Sequence, residues 1–110
     1  MGEREQPAVS YDFSDSVDIL VAFDRVGIEH LEVSAERTIV IYSRTIFDCE
    51  VDDGQLDDAQ TVTVEVFDIS PDLDVATDSV PLIETLVEEL ATTASVDWER
   101  AADYANSLSQ

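Results

Sequence analysis

Acidic side chains dominate this chain: 26 carboxylates face five arginines and no lysine within 110 residues, giving a formal net charge of -21. In dilute buffer, repulsion at this charge density destabilises any compact state. At molar ionic strength the Debye length falls to about 3 Å, so most of the surface repulsion is screened. Lysine stems lay apolar surface along a protein, whereas short aspartates hold water and cations. The composition therefore predicts a halophilic adaptation, with folding that requires concentrated salt.

The distribution of hydrophobic residues predicts a folded domain rather than an acidic disordered tail. They make up 45% of the chain, and the acids are spread through periodic segments. With no linker rich in proline or glycine, we expect one α+β domain over residues 8–110, after a flexible segment over residues 1–7. Without a signal-peptide-like run or roughly 20 consecutive apolar residues, we expect a cytoplasmic protein and no membrane partner.

Four segments of the chain have the residue pattern of strands. They begin near Ala8, Ile28, Ile39 and Thr61. Between residues 39 and 51 apolar side chains occur at both parities, which we interpret as one long extended run with two apolar faces. The sequence thus predicts a sheet of about four mainly antiparallel strands.

An early helix is predicted over residues 15–26. Ser14 is the candidate N-cap, and Gly27 can adopt the left-handed conformation that ends a helix. Phe23 and Ile28 then occupy the two positions that make the usual hydrophobic contact of a Schellman ending.

The C-terminal third of the chain predicts two more helices. An apolar stripe at helical spacing runs from Leu82 to Ala94, after a candidate cap at Ser79 and a proline at position 81. Ser95 is a candidate cap for a final amphipathic helix through Leu108. We therefore expect a C-terminal helical hairpin packed, with the early helix, on one face of the sheet.

The common catalytic and nucleotide-binding motifs are absent from the sequence. There is no glycine-rich dinucleotide fingerprint, phosphate-binding loop, paired-cysteine zinc pattern, His-Glu-x-x-His or Gly-x-Ser-x-Gly elbow. His30 is expected to be a surface histidine and Cys49 an inert core thiol. We predict no catalytic residue, metal or cofactor, leaving open a small metal-independent enzyme that uses carboxylates with Arg37 or Arg44.

An acidic segment has some features of a calcium-binding loop. Counted from Asp48, however, Gly54 is seventh where such a loop requires glycine sixth, and Ala59 replaces the bidentate glutamate. A solvated hairpin loop is therefore expected, with weak cation binding as an alternative. The acids concerned are Asp48, Glu50, Asp52, Asp53, Asp57 and Asp58.

The two predicted C-terminal helices also raise a helix-turn-helix hypothesis. The second of them would carry Arg100 against Asp97, Glu99 and Asp103. Because phosphate contacts normally supply most of the affinity for DNA, we expect no nucleic-acid partner.

The central strands carry more apolar surface than one layer of helices can cover. The sequence therefore predicts a non-catalytic interaction or regulatory module, self-associating as a homodimer or binding another protein through a sheet face. The predicted interaction face comprises Val40, Tyr42, Ile46, Phe67 and Ile69. The alternative is a small-molecule or cation-sensing domain, whose pocket walls would include Tyr11, Tyr42, Trp98 and Tyr104.

Overall fold

A computed structural model of the protein describes residues 8–101. Over this range the chain forms seven strands and two helices. The strands form one antiparallel sheet in the order β2-β3-β4-β6-β1-β7, and the short β5 pairs with β6. The elements are β1 (Ala8–Val17), α1 (Ile19–Val26), β2 (Glu29–Ser34), β3 (Arg37–Tyr42), β4 (Thr45–Val51), β5 (Gly54–Gln55), β6 (Asp58–Asp68), α2 (Val75–Ala94) and β7 (Trp98–Arg100).

The fold is α+β, but the predicted four-stranded sheet with a C-terminal helical hairpin is wrong. After α2, residues 98–100 pair with β1 instead of forming a helix. Ser95 ends α2 as a left-handed C-cap with φ 62°. Backbone hydrogen bonding explains the strand, because the Ser14 N–H donates to the Asp97 carbonyl at 2.9 Å, so β1 offers an edge that this segment can join. The rest of the predicted last helix, and the predicted flexible segment 1–7, lie outside the described residues.

The predicted long run over residues 39–51 is a hairpin of two strands. Ser43 and Arg44 form its turn, with φ values of 55° and 60°, and Tyr42 pairs with Thr45. Positive φ at both central residues is what a type I′ turn requires. Since paired residues share a face, even-numbered residues of β3 lie on the same face as odd-numbered residues of β4.

Helix α1 begins later than predicted and ends where predicted. Its N-cap is Asp18, which accepts a hydrogen bond from the Val21 N–H at 3.0 Å, because β1 continues through Ser14 to residue 17. At the other end Gly27 has φ 73°, and the Ile28 N–H donates to the Phe23 carbonyl at 2.9 Å. This is the predicted Schellman-type ending.

Helix α2 begins at Val75, one turn before the predicted cap. Ser79 is therefore inside the helix and buried, and Pro81 is an internal proline rather than a first-turn residue. The apolar stripe that predicted this helix does face the core. No helix among the described residues is long and apolar enough to cross a membrane.

Both helices pack on the same face of the sheet and enclose the core. Alternation places one row of each central strand beneath them, while the other row faces away. Within residues 8–101 no helix covers that second face, which we call the open face. The buried hydrophobic residues are, from the helices, Ile19, Ala22, Phe23, Ile83, Leu86, Val87, Leu90 and Ala91, and from the main strands Tyr11, Phe13, Val17, Val40, Phe47, Cys49, Val51, Ala59, Val62, Val64 and Val66.

Candidate interaction surface

Half of the open face is apolar. Five side chains from four neighbouring strands form what we call the open-face cluster: Leu31, Ile39, Ile41, Ile46 and Phe67. Leu31 is paired with Ile39, and Ile41 with Ile46, so the strands place these side chains in contact range across the sheet. Exposed fractions are 68% for Leu31, 43% for Ile41 and 60% for Phe67.

Phe67 belongs to this cluster by the alternation of β6, and a bulge lies beside it. Phe47 pairs with Val66 while Ile46 pairs with Asp68, which leaves Phe67 as the extra residue. Phe67 has the parity of the outward-facing Thr63 and Glu65, so its phenyl ring is exposed on the open face beside the Ile46 position. The bulge kinks the strand at this point and places Asp68 opposite Ile46 as well.

The other half of the open face is polar. Across β6 and β1, the Thr61 hydroxyl donates to Asp12 at 2.8 Å, and the Ser10 and Thr63 hydroxyls lie 2.7 Å apart. Thr63 also donates to Asp52 at 2.7 Å. These hydrogen bonds satisfy the polar side chains within the chain, so the open face has an apolar half, formed by the open-face cluster, and an acidic half, which lies mainly over β6 and β1.

An ion pair borders the two halves. The Arg37 Nε lies 2.9 Å and 3.1 Å from the two carboxylate oxygens of Asp48, and its Nη2 lies 2.8 Å from one of them. Hydrogen bonding to this carboxylate raises the pKa of Arg37, which therefore stays charged. Arg37 is thus engaged within the sheet and is not a free group for the carboxylate-arginine enzyme considered from the sequence.

The predicted interaction face is divided between the two faces of the sheet. Val40 is fully buried beneath the helices, and Tyr42 donates to Glu89 of α2 at 3.4 Å. Ile69 packs against the same core, whereas Ile46 and Phe67 belong to the open face. The five residues do not form one surface, because the turn at residues 43–44 exchanges the parities that a single long strand would keep.

Three residues of the open-face cluster were missed by sequence reasoning. Ile39 and Ile41 alternate with Val40 and Tyr42, which also look suitable for a core, whereas Leu31 alternates with the polar His30 and Glu32. Whether the odd-numbered or the even-numbered residues of a strand face the helices depends on its partner strand and on the turn that joins the two. The signal available in the sequence was therefore the excess of apolar residues on both parities.

The six acids of the predicted cation loop are dispersed by the hairpin. Asp48 pairs with Arg37, and Asp52 accepts from the Thr63 hydroxyl. Asp53 accepts from the Thr61 N–H at 3.0 Å, so it closes the loop rather than facing an ion. Glu50, Asp57 and Asp58 are exposed. In the part of the chain that the structure describes, no group of three or more His, Cys, Asp or Glu residues could hold a metal ion. Weak cation binding stays a prediction without a built site.

On the helix side, strand β7 is fixed to α2 by a small polar network. Glu84 accepts from the Tyr11 hydroxyl at 3.1 Å and from the Arg100 Nε at 2.5 Å. Burial, reinforced by Glu84, raises the pKa of Tyr11, so the phenol remains protonated. Trp98 Nε1 donates to Glu88 at 2.7 Å. Each of these polar side chains has a hydrogen-bond partner within the network. The network therefore fits a structural role, holding β7 on α2, better than a role in acid-base catalysis.

The aromatic residues proposed as pocket walls pack on their neighbours. The rings of Tyr11 and Trp98 meet edge to face with centroids 5.3 Å apart, and Tyr42 lies 6.5 Å from Phe47. An open cleft of about 220 Å³ lies nearby, lined by Asp12, Phe13, Ser14, Asp97, Trp98 and Glu99. Tyr104 is outside the described residues. The cleft is shallow and acidic, so it gives the sensing alternative little apolar surface with which to hold a ligand.

Cys49 and His30 are not placed to act together. They lie on β4 and β2, with β3 between them. Burial, with smaller contributions from Asp48 and Asp52, raises the pKa of Cys49 to about 12, so its thiol is unreactive. His30 is half-buried against Phe23, and its Nδ1 donates to the Ile28 carbonyl at 2.9 Å.

Comparisons with protein families, with curated proteins and with solved structures give no match to this chain. The open-face cluster contains three of the exposed large apolar side chains of the described residues, Leu31, Ile41 and Phe67, beside the half-buried Ile39 and Ile46.

Proposed function

We propose that the protein is a non-catalytic interaction module that self-associates through the open-face cluster. The observation that carries this proposal is the contiguity of five large apolar side chains on a sheet face over which the described chain places no helix. Exposed apolar patches of a few hundred Å² commonly mark protein interaction sites. Two sheets stacked face to face bury such side chains in a layer about 10 Å thick.

A second copy of this chain is the partner that the charge distribution favours. A two-fold axis parallel to the strands, passing through the open-face cluster, brings the apolar halves of two sheets together. The same rotation sends the two acidic halves, carrying Asp12 and Glu65, to opposite sides of the dimer. Concentrated salt screens the remaining repulsion and strengthens apolar association.

The proposal is tested by a matched pair of variants. Ile41 lies in the open-face cluster and is 43% exposed, while Val21 lies on α1 and is 45% exposed. Ile41→Glu should weaken the open-face contact by about 100-fold or more, since burying an unpaired carboxylate costs about 3 kcal/mol or more. Val21→Glu makes the same chemical change away from that face and should leave association unaltered.

Light scattering after size exclusion in about 3 M KCl provides the measurement. We expect Ile41→Glu to lower the mass of the assembly and Val21→Glu to preserve it, with unchanged circular dichroism for both. Equal masses for the two variants would contradict self-association through the open face.

A further inference from the structure

We infer that β2 is a second self-association site, whose free edge pairs antiparallel with β2 of another copy, Leu31 opposite Leu31. This contact uses backbone groups at the edge of the sheet, whereas the proposed function uses side chains on the open face. The two contacts are separate, and each can fail alone.

The position of β2 leaves half of its backbone groups available. It is the last strand of the sheet and pairs with β3 alone within the described residues. The Leu31 carbonyl accepts from the Thr38 hydroxyl at 3.0 Å, so it points toward β3. Because orientation alternates along an antiparallel strand, the N–H and C=O groups of His30 and Glu32 point to the free edge.

The edge of β2 is only partly protected. Proteins commonly guard such edges with charged side chains, proline, a bulge or a covering loop. Strand β2 has no proline and carries two glutamates, whose repulsion concentrated salt screens, and five of its six residues are exposed. Its bulge lies near the end, between Glu32 and Ser34, so residues 29–32 keep a regular ladder with β3.

Side-chain charge argues against one of the competing registers for the pairing of two copies. Pairing residue 32 with residue 32 would set two glutamates directly opposite each other, which is unfavourable. Pairing His30 with Glu32 instead places a carboxylate opposite an imidazole, and the two-fold axis repeats this pair. In that register each copy donates from residues 30 and 32 and accepts at the same residues.

The same register also joins apolar surface. Leu31, the most exposed large apolar residue of the described chain at 68%, meets its own copy in a non-hydrogen-bonded pair, where Cα atoms are about 4.5 Å apart. The pairing therefore makes the open-face clusters of two chains continuous across the edge. The axis of this contact is perpendicular to the sheet, while the open-face axis lies parallel to it, so one chain can make both contacts.

Cysteine cross-linking tests the register directly. Two Leu31→Cys chains should form a disulfide, because the expected Cα separation lies in the range that a disulfide spans. Two Val33→Cys chains should not, because residue 33 then faces residue 29 and the two copies of residue 33 are about 13 Å apart. Val33 is exposed like Leu31, so both introduced cysteines are accessible to the oxidant. The natural Cys49 is fully buried and should not form a disulfide in any variant.

The experiment uses oxidised glutathione in about 3 M KCl, followed by a non-reducing gel. We expect Leu31→Cys to cross-link at least tenfold faster than Val33→Cys, and a mixture of Glu29→Cys and Val33→Cys chains to form a mixed dimer. Equal rates, or no Leu31→Cys dimer, would overturn the inference. The cross-link should persist when Ile41→Glu is added, and its loss there would show that the edge is not a separate contact.

Discussion

Gly27 determines how the chain leaves α1 and enters β2. Its φ of 73° lies in the left-handed region, and the Ile28 N–H bonds back to the Phe23 carbonyl at 2.9 Å. The Gly27 N–H donates to the Asp24 carbonyl at 3.3 Å, which satisfies another group at the helix end. The ending was predictable because all of its determinants lie within a few residues.

Replacing Gly27 with alanine isolates the conformational cost of this position. An added Cβ would have no atom within 4 Å, so only the left-handed backbone is penalised. We expect Gly27→Ala to lower the free energy of unfolding by about 1 kcal/mol, measured by denaturant titration in concentrated salt.

Gly54 provides the contrast for this experiment. There φ is 106°, and an added Cβ would lie 2.5 Å from the Asp58 carbonyl oxygen. Gly54→Ala should therefore lose more stability than Gly27→Ala. A Gly27→Ala protein as stable as the unmodified one would contradict the role assigned to this residue.

At the scale of elements, β7 depends on side chains of α2. Hydrogen bonds from Trp98 and then from Thr92 lower the pKa of Glu88 below its ordinary value of 4.5. The folded carboxylate thus binds a proton less readily than the unfolded one. The stability from this contact is present above pH 4.5 and is lost as the pH falls through the lowered folded value.

The fluorescence of Trp98, the one tryptophan of the chain, reports on this contact. On acidification below pH 4.5 we expect its emission to shift to the red as β7 separates from α2. Glu88→Gln removes the titrating group and should reduce this shift. Glu89→Gln, which changes the neighbouring residue bonded to Tyr42, should leave the titration unchanged. Identical curves for all three proteins would show that Glu88 does not control the attachment of β7.

Elements defined by local pattern could be predicted, and those defined by distant partners could not. The stripe of α2, including Ile83 and Leu86, follows from helical spacing alone. The turn at Ser43 and Arg44 escaped because it lacks the Asn-Gly pair typical of such turns. Because this turn was not predicted, β3 and β4 were treated as one strand, and residues of the same parity were assigned to one face. The predicted interaction face therefore mixed residues from both faces of the sheet. Strand β7 was not predicted because it pairs with β1, and its contact to Ser14 spans 83 residues of sequence.

For the whole molecule, the net charge of -21 predicts strong repulsion between carboxylates in dilute buffer. Arg37, Arg44 and Arg100 each pair with one acid, which neutralises few of the 26 carboxylates. We predict that the thermal midpoint rises steadily from about 0.05 M to about 3 M KCl, as screening shortens the range of repulsion. Circular dichroism melting curves provide the measurement. A midpoint that stays flat or falls over this range would contradict adaptation to salt.

Sedimentation of the unmodified protein in about 3 M KCl is the most direct test of self-association. At roughly 100 μM, far above a micromolar dissociation constant, the chain should sediment with the mass of two copies or a multiple of two. Dilution should release smaller species as the open-face contact dissociates. Sedimentation as a single 12.1 kDa chain at that concentration would contradict the central claim.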